Sequence, residues 1–216
     1  GTVKLHGSNA GVYFTKKGGI SGQSRTAGID CGLNGFGEWL ASDDVNCAFR
    51  GIRWELLDEY PILEGKDFVI YGEWCGGNIQ KGVSINGLHK MFVIFGVKVI
   101  EGDEDEDNHW INTDKYEWLH SHPNNVYDIK DFGTFSVDID FANPGLSSNI
   151  MAKITEQVEQ ECPVGKAFGR VLDDDNTTGE GVVWTHQKHD GTVYRFKVKG
   201  EKHSSSKVKT LAPVDI

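Results

Sequence analysis

The sequence predicts a mixed α+β domain. Three observations predict it: runs rich in Val, Ile, Phe and Tyr at 67–74 and 90–100, helical spacing of apolar residues across 36–60, and a return to strand-like sequence in the last third. Residues 9–15 alternate small and apolar side chains and meet Lys16-Lys17-Gly18-Gly19, a strand entering a Gly-rich turn. With residues 3–6 they read as a hairpin-like opening. Within 36–60, Trp39, Leu40, Cys47, Ile52, Leu56 and Leu57 keep roughly helical spacing, so one or two helices are expected there, ended by Pro61. The strands 67–74 and 90–100 are expected in one sheet. Six acids in the seven positions 101–107 repel one another, which predicts a solvated loop ahead of a calcium site. Across 147–162, Ile150, Ile154 and Val158 recur every fourth residue after a Ser-rich start, the stripe of an amphipathic helix with its glutamates in water and Pro163 as its stop. Strands at 181–186 and 192–199 flank the turn-like His189-Asp190-Gly191. Neither a repeat nor an interdomain linker is visible, so 1–216 reads as one domain.

Composition narrows the function. With 22 basic and 32 acidic side chains the formal net charge is -10, which argues against a protein that coats nucleic acid over its whole surface, because phosphate contacts need Lys and Arg. The balance inverts locally. Across 186–211 seven basic residues face two acids, as expected of a nucleic-acid footprint confined to one side. Cys31, Cys47, Cys75 and Cys162 form no CxxC pair, so neither a disulfide framework nor a zinc knuckle is suggested, and the thiols read as structural. No run approaches a membrane span and no basic-then-apolar leader opens the chain, so a cytoplasmic protein is expected, in the host cytoplasm if the gene is a phage's. A monomer is expected. Gly1-Thr2-Val3 opens without Met and already in strand-like sequence, so the natural start is expected upstream.

Four constellations could carry chemistry. In Lys4-Leu5-His6-Gly7-Ser8-Asn9 a lysine at a strand end is either a nucleophile whose pKa neighbouring charge lowers or a plain surface lysine before a turn. In Tyr71-Gly72-Glu73-Trp74 an apolar strand delivers a carboxylate into a Gly-rich loop, where a solvated glutamate is the competing reading. Glu180, between Gly179 and Gly181, could ligate a hard cation or orient a ribose hydroxyl, since small neighbours leave room for ligand, or could lie in an ordinary turn. Lys197 and Lys199 fall on one face of a strand by period two; side by side they invite a phosphate, or they protect an edge. His120 and His122, two apart before Pro123, read as loop residues ahead of zinc ligands, and Trp54, Trp110 and Trp118 as core or edge packing ahead of base platforms.

Taken in order, KLHGSN, SRT at 24–26, YGEW, MFVIF at 91–95, GEGVV and FKVK resemble the motif series of covalent nucleotidyltransferases, and KxHGSN followed by GEWCGGNIQKGV resembles the RNA ligase 2 family of ATP-dependent polynucleotide ligases. The resemblance covers nearly the whole chain. It implies a ligase adenylation domain of ATP-grasp-like type, with antiparallel sheets flanked by helices, using ATP and Mg2+ or Mn2+. It further implies that Lys4 attacks the α-phosphate to give lysyl-AMP, that His6 and Asn9 assist later steps or contact nucleotide, and that Arg25 holds a phosphate. Glu73 would engage the ribose, Phe95 would stack on adenine, Glu180 would help bind the metal, and Lys197 and Lys199 would neutralise the α-phosphate. The implied partners are RNA 5′-phosphate and 3′-hydroxyl ends, as in a nicked duplex.

Two departures stand out. Gly96 follows Phe95 where the family commonly has an acid, and the chain stops at Ile216 where family members often carry a further module. Two alternatives share the resemblance: a capping-type guanylyltransferase, and a nucleic-acid binding module that kept the fold and lost catalysis.

Overall fold

A computed structural model describes residues 1–24, 28–29, 33–102, 108–112, 119–170, 178–188 and 192–203. Two sheets carry the architecture. The larger has the strand order β4 (Gly28–Ile29), β3 (Ile20–Ser24), β2 (Ser8–Phe14), β5 (Asp67–Cys75), β6 (Met91–Ile100) and β7 (His109–Trp110), with β8 (Val126–Asp128) beside β6. The smaller runs β1 (Thr2–Lys4), β9 (Gly181–Gln187), β10 (Val193–Lys199). Pairing is antiparallel throughout both, apart from β8, which lies parallel to β6.

Strands 67–74 and 90–100 pair as expected. The hairpin-like opening does not form between residues 3–6 and 9–15: β1 pairs with β9 in one sheet, while β2 pairs with β3 and β5 in the other. The cause is that Val3 is buried in a second core with Val182 and Trp184, far along the chain, whereas Val12 and Phe14 belong to the first.

Helices cover both outer faces. α1 (Phe36–Ala41) and α2 (Asp43–Glu59) separate at Ser42, and Asp43 and Asp44 place negative charge at the N-terminus of α2, where the helix dipole favours it. Val45, Phe49, Ile52 and Leu56 form its buried stripe against Phe14, Ile70, Trp74 and Phe92 of the large sheet. Cys47 and Trp54 lie off that stripe in solvent, contrary to their reading as apolar and packing positions. α3 (Pro144–Gln160) packs on β9 and β10 through Ser147, Thr155 and Val158. Of the expected stripe, Val158 is buried and Ile154 packs half-buried against the second core, while Ile150 is exposed; half-buried Glu159 accepts a hydrogen bond from the Lys202 backbone instead of facing water. α4 (Pro163–Ala167) follows directly, its proline taking the first helical position.

One irregularity positions the site. Along β5 and β6 the register runs Tyr71 to Gly96 and then Gly72 to Ile94, so Phe95 is the extra residue of a β-bulge. Before it Phe92 and Ile94 point to the α1/α2 core; after it Val97 and Val99 do. A bulge reverses parity in this way. Phe95 keeps the face of Met91 and Val93, toward the space between the two sheets, and the change of parity falls on Gly96 and the residues after it.

Candidate functional site

Lys4 ends β1, and the antiparallel register sets it opposite Gly181, one residue past Glu180. Its ammonium donates to Glu180 Oε2 at 2.5 Å. His6 Nδ1 lies 3.1 Å from the same oxygen, and Lys199 Nζ reaches Oε1 at 2.7 Å. The Glu180 side chain is only 1% exposed, so three groups converge on one buried carboxylate. Burial opposes its ionisation, but hydrogen bonds from Lys199 and Lys4, with the charges of Lys4 and His6, outweigh that and hold its pKa below the usual range.

The glycines beside Glu180 serve a purpose other than making room for ligand. A Cβ on Gly179 would lie 2.4 Å from the Val158 carbonyl oxygen of α3, and one on Gly181, at φ 144°, would lie 2.1 Å from the Val198 carbonyl oxygen of β10. Both let protein backbone close around the acid.

Across from Lys4, Glu73 emerges from β5 on the face opposite Trp74 and accepts the Gly7 backbone N–H on Oε1 at 2.8 Å. Burial pushes its pKa up to about 7, an effect that Lys4 and the Gly7 N–H only partly offset and that Glu180 reinforces. Asn9, paired with Glu73 across β2 and β5, lines the same cavity of about 330 Å³, together with Lys4, Phe95, Arg195 and Lys197. That volume is within the range of small-molecule sites. A second cavity of about 460 Å³ adjoins it, with Phe95 and Arg195 lining both.

The sequence-derived set is thus brought together: Lys4, Asn9, Glu73, Phe95 and Lys197 on one cavity, and His6, Glu180 and Lys199 in the cluster holding Lys4. Arg25 lies outside the described residues. The two strand lysines divide their work, because Lys199 is engaged with Glu180 while Lys197, among the described residues, makes no ion pair and faces the cavity. The reading missed Arg195 as a residue of the site, whereas Trp110, expected as core or edge packing, does pack at the sheet edge and also lines the second cavity. The guanidinium sits 4.1 Å from the centre of the indole ring, a desolvated cation–π contact over the cavity wall. Arg195 was findable, since it continues the period-two series through Lys197 and Lys199. The place of Trp110 on the cavity carried no local signal.

The same pair accounts for Gly96. A Cβ there would lie 2.9 Å from Trp110 Cζ3 and 3.4 Å from an Arg195 nitrogen. The space an acid would need holds an indole. Gly96→Asp is therefore expected to cost about 1–3 kcal/mol by overpacking, read as a lower thermal midpoint. Adding Trp110→Ala should recover part of the loss; an unchanged midpoint in the single variant would show that the indole yields freely.

A lysine gripped by a buried acid, with further cations and an aromatic ring around an adjoining cavity, defines a site suited to nucleotide phosphates. The chain belongs to the RNA ligase family, whose family model matches residues 1–199. No curated protein matches it. Among solved structures it is similar to a Naegleria gruberi RNA ligase variant with ATP and Mn, at TM-score 0.55 and 15% identity over 94% of this chain. A second variant of that ligase, with AMP and Mn, is similar at TM-score 0.52 and 18% identity over 94% of this chain. These likenesses are of fold, and the chain spans 49% of the length of either neighbour. Among the described residues no helix is long and apolar enough to cross a membrane.

Proposed function

We propose that residues 1–216 form the nucleotidyltransferase domain of an ATP-dependent RNA ligase. The observation that carries the reading is the contact between the Lys4 ammonium and buried Glu180, beside a cavity faced by Phe95 and Lys197. The Lys4 amine attacks the α-phosphorus of ATP; a P–N bond forms, the P–O bond to pyrophosphate breaks, and lysyl-AMP remains. The amine must first lose a proton, and Glu180 Oε2 is already within hydrogen-bond distance to receive or relay it. Phe95 offers a face for the adenine ring, Glu73 and Asn9 offer acceptor and donor groups for the ribose, and Lys197 supplies positive charge for the α-phosphate. His6 braces Glu180 and is near enough to Lys4 to serve the later steps.

A divalent ion, Mg2+ or Mn2+, fits the carboxylates present: Glu180 is a hard oxygen donor, and Glu73 is a buried carboxyl that a neighbouring cation would return to its ionised form. Such an ion, when bound, neutralises charge on the phosphate oxygens. The AMP then passes to an RNA 5′-phosphate, and a 3′-hydroxyl displaces it to seal the strand, most naturally across a nick. The locally basic segment that contains β10 supports nucleic acid as partner.

Purified chain incubated with α-labelled ATP and Mg2+ or Mn2+ is expected to yield a labelled, acid-labile protein band. No label from ATP would overturn the reading, and label from GTP in preference would make the chain a capping-type enzyme. Adenylylated chain offered nicked duplexes with RNA or DNA at the 3′-hydroxyl side then reports the preferred strand.

A further inference from the structure

Away from Lys4, the fold assembles a cluster that the sequence reading had dispersed into a loop. His120 precedes the short turn His122–Asn124 that leads into β8, and Asp131 lies in the turn Ile129–Phe132 that leaves it. His120 Nδ1 stands 3.6 Å from Asp131 Oδ2, and His122 Nε2 stands 3.5 Å from the same oxygen. One donor atom from each of the three residues lies within 4.8 Å of the others. The imidazoles stack with centroids 4.3 Å apart. His120 Nδ1 is shielded from solvent and, among the described residues, makes no hydrogen bond. A buried ring nitrogen left in that state is costly and calls for a partner.

The spacing says which partner. Tetrahedral zinc with bonds of about 2.0–2.1 Å sets its ligand atoms roughly 3.3–3.4 Å apart. Both nitrogen-to-carboxylate separations are close to that value, and rotation of the exposed His122 ring can bring in the third edge. The geometry points to a binding site for a first-row divalent transition-metal ion, Zn2+ fitting best, held by His120, His122 and Asp131 with water in the remaining position. Two imidazoles with one carboxylate suit such an ion and not Mg2+, which prefers oxygen ligands. The surroundings orient the ligands. Asp131 Oδ2 also accepts the Asp128 backbone N–H at 3.0 Å, and Tyr127 stacks on His122 with centroids 5.1 Å apart. Lys130, the nearest cation along the turn, lies 3.9 Å from Asp128 Oδ2.

The site has a mechanical consequence. Ile129, in the same turn as Asp131, lines both cavities beside Phe95. An ion on the far side of the turn would tie the segment carrying His120 and His122 to this wall. It would be a structural clamp, separate from any metal that accompanies ATP, and it does not depend on the ligase reading.

Chelator-treated chain dialysed against Zn2+ in excess Mg2+ is expected to retain one Zn2+ per chain, and Co2+ in its place should show visible d–d absorption. His122→Ala and Asp131→Asn should each weaken binding at least tenfold and abolish the Co2+ bands, whereas His6→Ala should retain both. The carboxamide introduced by Asp131→Asn keeps an oxygen that can accept the Asp128 N–H, so loss of metal in that variant would report ligation and not unfolding. Wild-type chain that retains no Zn2+, or unchanged binding in both ligand variants, would overturn the proposal.

Discussion

Replacing Lys4 by alanine is expected to reduce the transfer of label from α-labelled ATP to background, a loss on the order of 10^3-fold or more, because the proposed mechanism assigns the covalent bond to this amine. The informative companion is Lys4→Arg. A guanidinium can keep the contact with Glu180 but does not deprotonate in proteins, so it cannot attack phosphorus. The arginine variant should therefore fold like the wild type and still accept no label. Alanine alone is a weaker test, since it removes one of three partners from a carboxylate that is 1% exposed and could disturb the site by that route. Denaturation midpoints for both variants separate the effects, and label in the arginine variant would remove Lys4 from the role of nucleophile.

The second large effect concerns stability. Glu73 has its pKa raised from 4.5 to about 7, so in the folded chain it prefers to be protonated. Its contribution to stability is therefore fully present below the unfolded pKa near 4.5 and is lost as pH rises through about 7. At about 1.36 kcal/mol per unit, the difference approaches roughly 3 kcal/mol in mildly alkaline buffer. Glu73→Gln keeps an oxygen for the Gly7 N–H and removes the ionisation. Urea denaturation should find the variant close to wild type near pH 4.5 and more stable near pH 8, while its affinity for nucleotide falls. Equal stabilisation at both pH values would show that the carboxyl is not the source. Higher stability of the glutamine variant at pH 8 alone would show that the carboxylate is kept at a cost in stability, as expected of a group that serves a ligand.

Much of this was legible from the sequence because its signals were local. Strands β5, β6, β9 and β10 stand within about a residue or two of their expected bounds, since β-branched and aromatic runs meet turns there, and Pro61 and Pro163 follow the helices they were expected to stop. The residues that gather at the candidate site, Arg25 aside, were legible through short motifs, each read with its neighbours. What escaped was non-local. Nothing in Thr2-Val3-Lys4 encodes pairing with Val183, Val182 and Gly181, and adjacency to β2 favoured a hairpin that did not form. The bulge at Phe95 left no trace beyond Gly96, which suggested a missing acid and proved to be the seat of Trp110. The glycines around Glu180 were read as openings for ligand because a sequence does not reveal that α3 and β10 press in from both sides.

The small sheet unites the beginning of the chain with its last third, and its central ion pair joins residues 176 positions apart. Contacts of such range close late, after shorter loops have formed. A chain emerging from the ribosome thus exposes Lys4 long before Glu180 has been synthesised. Under the mechanism proposed above, chemistry is licensed by folding: the Lys4 amine meets its buried acid only once residue 180 has been made and has folded back.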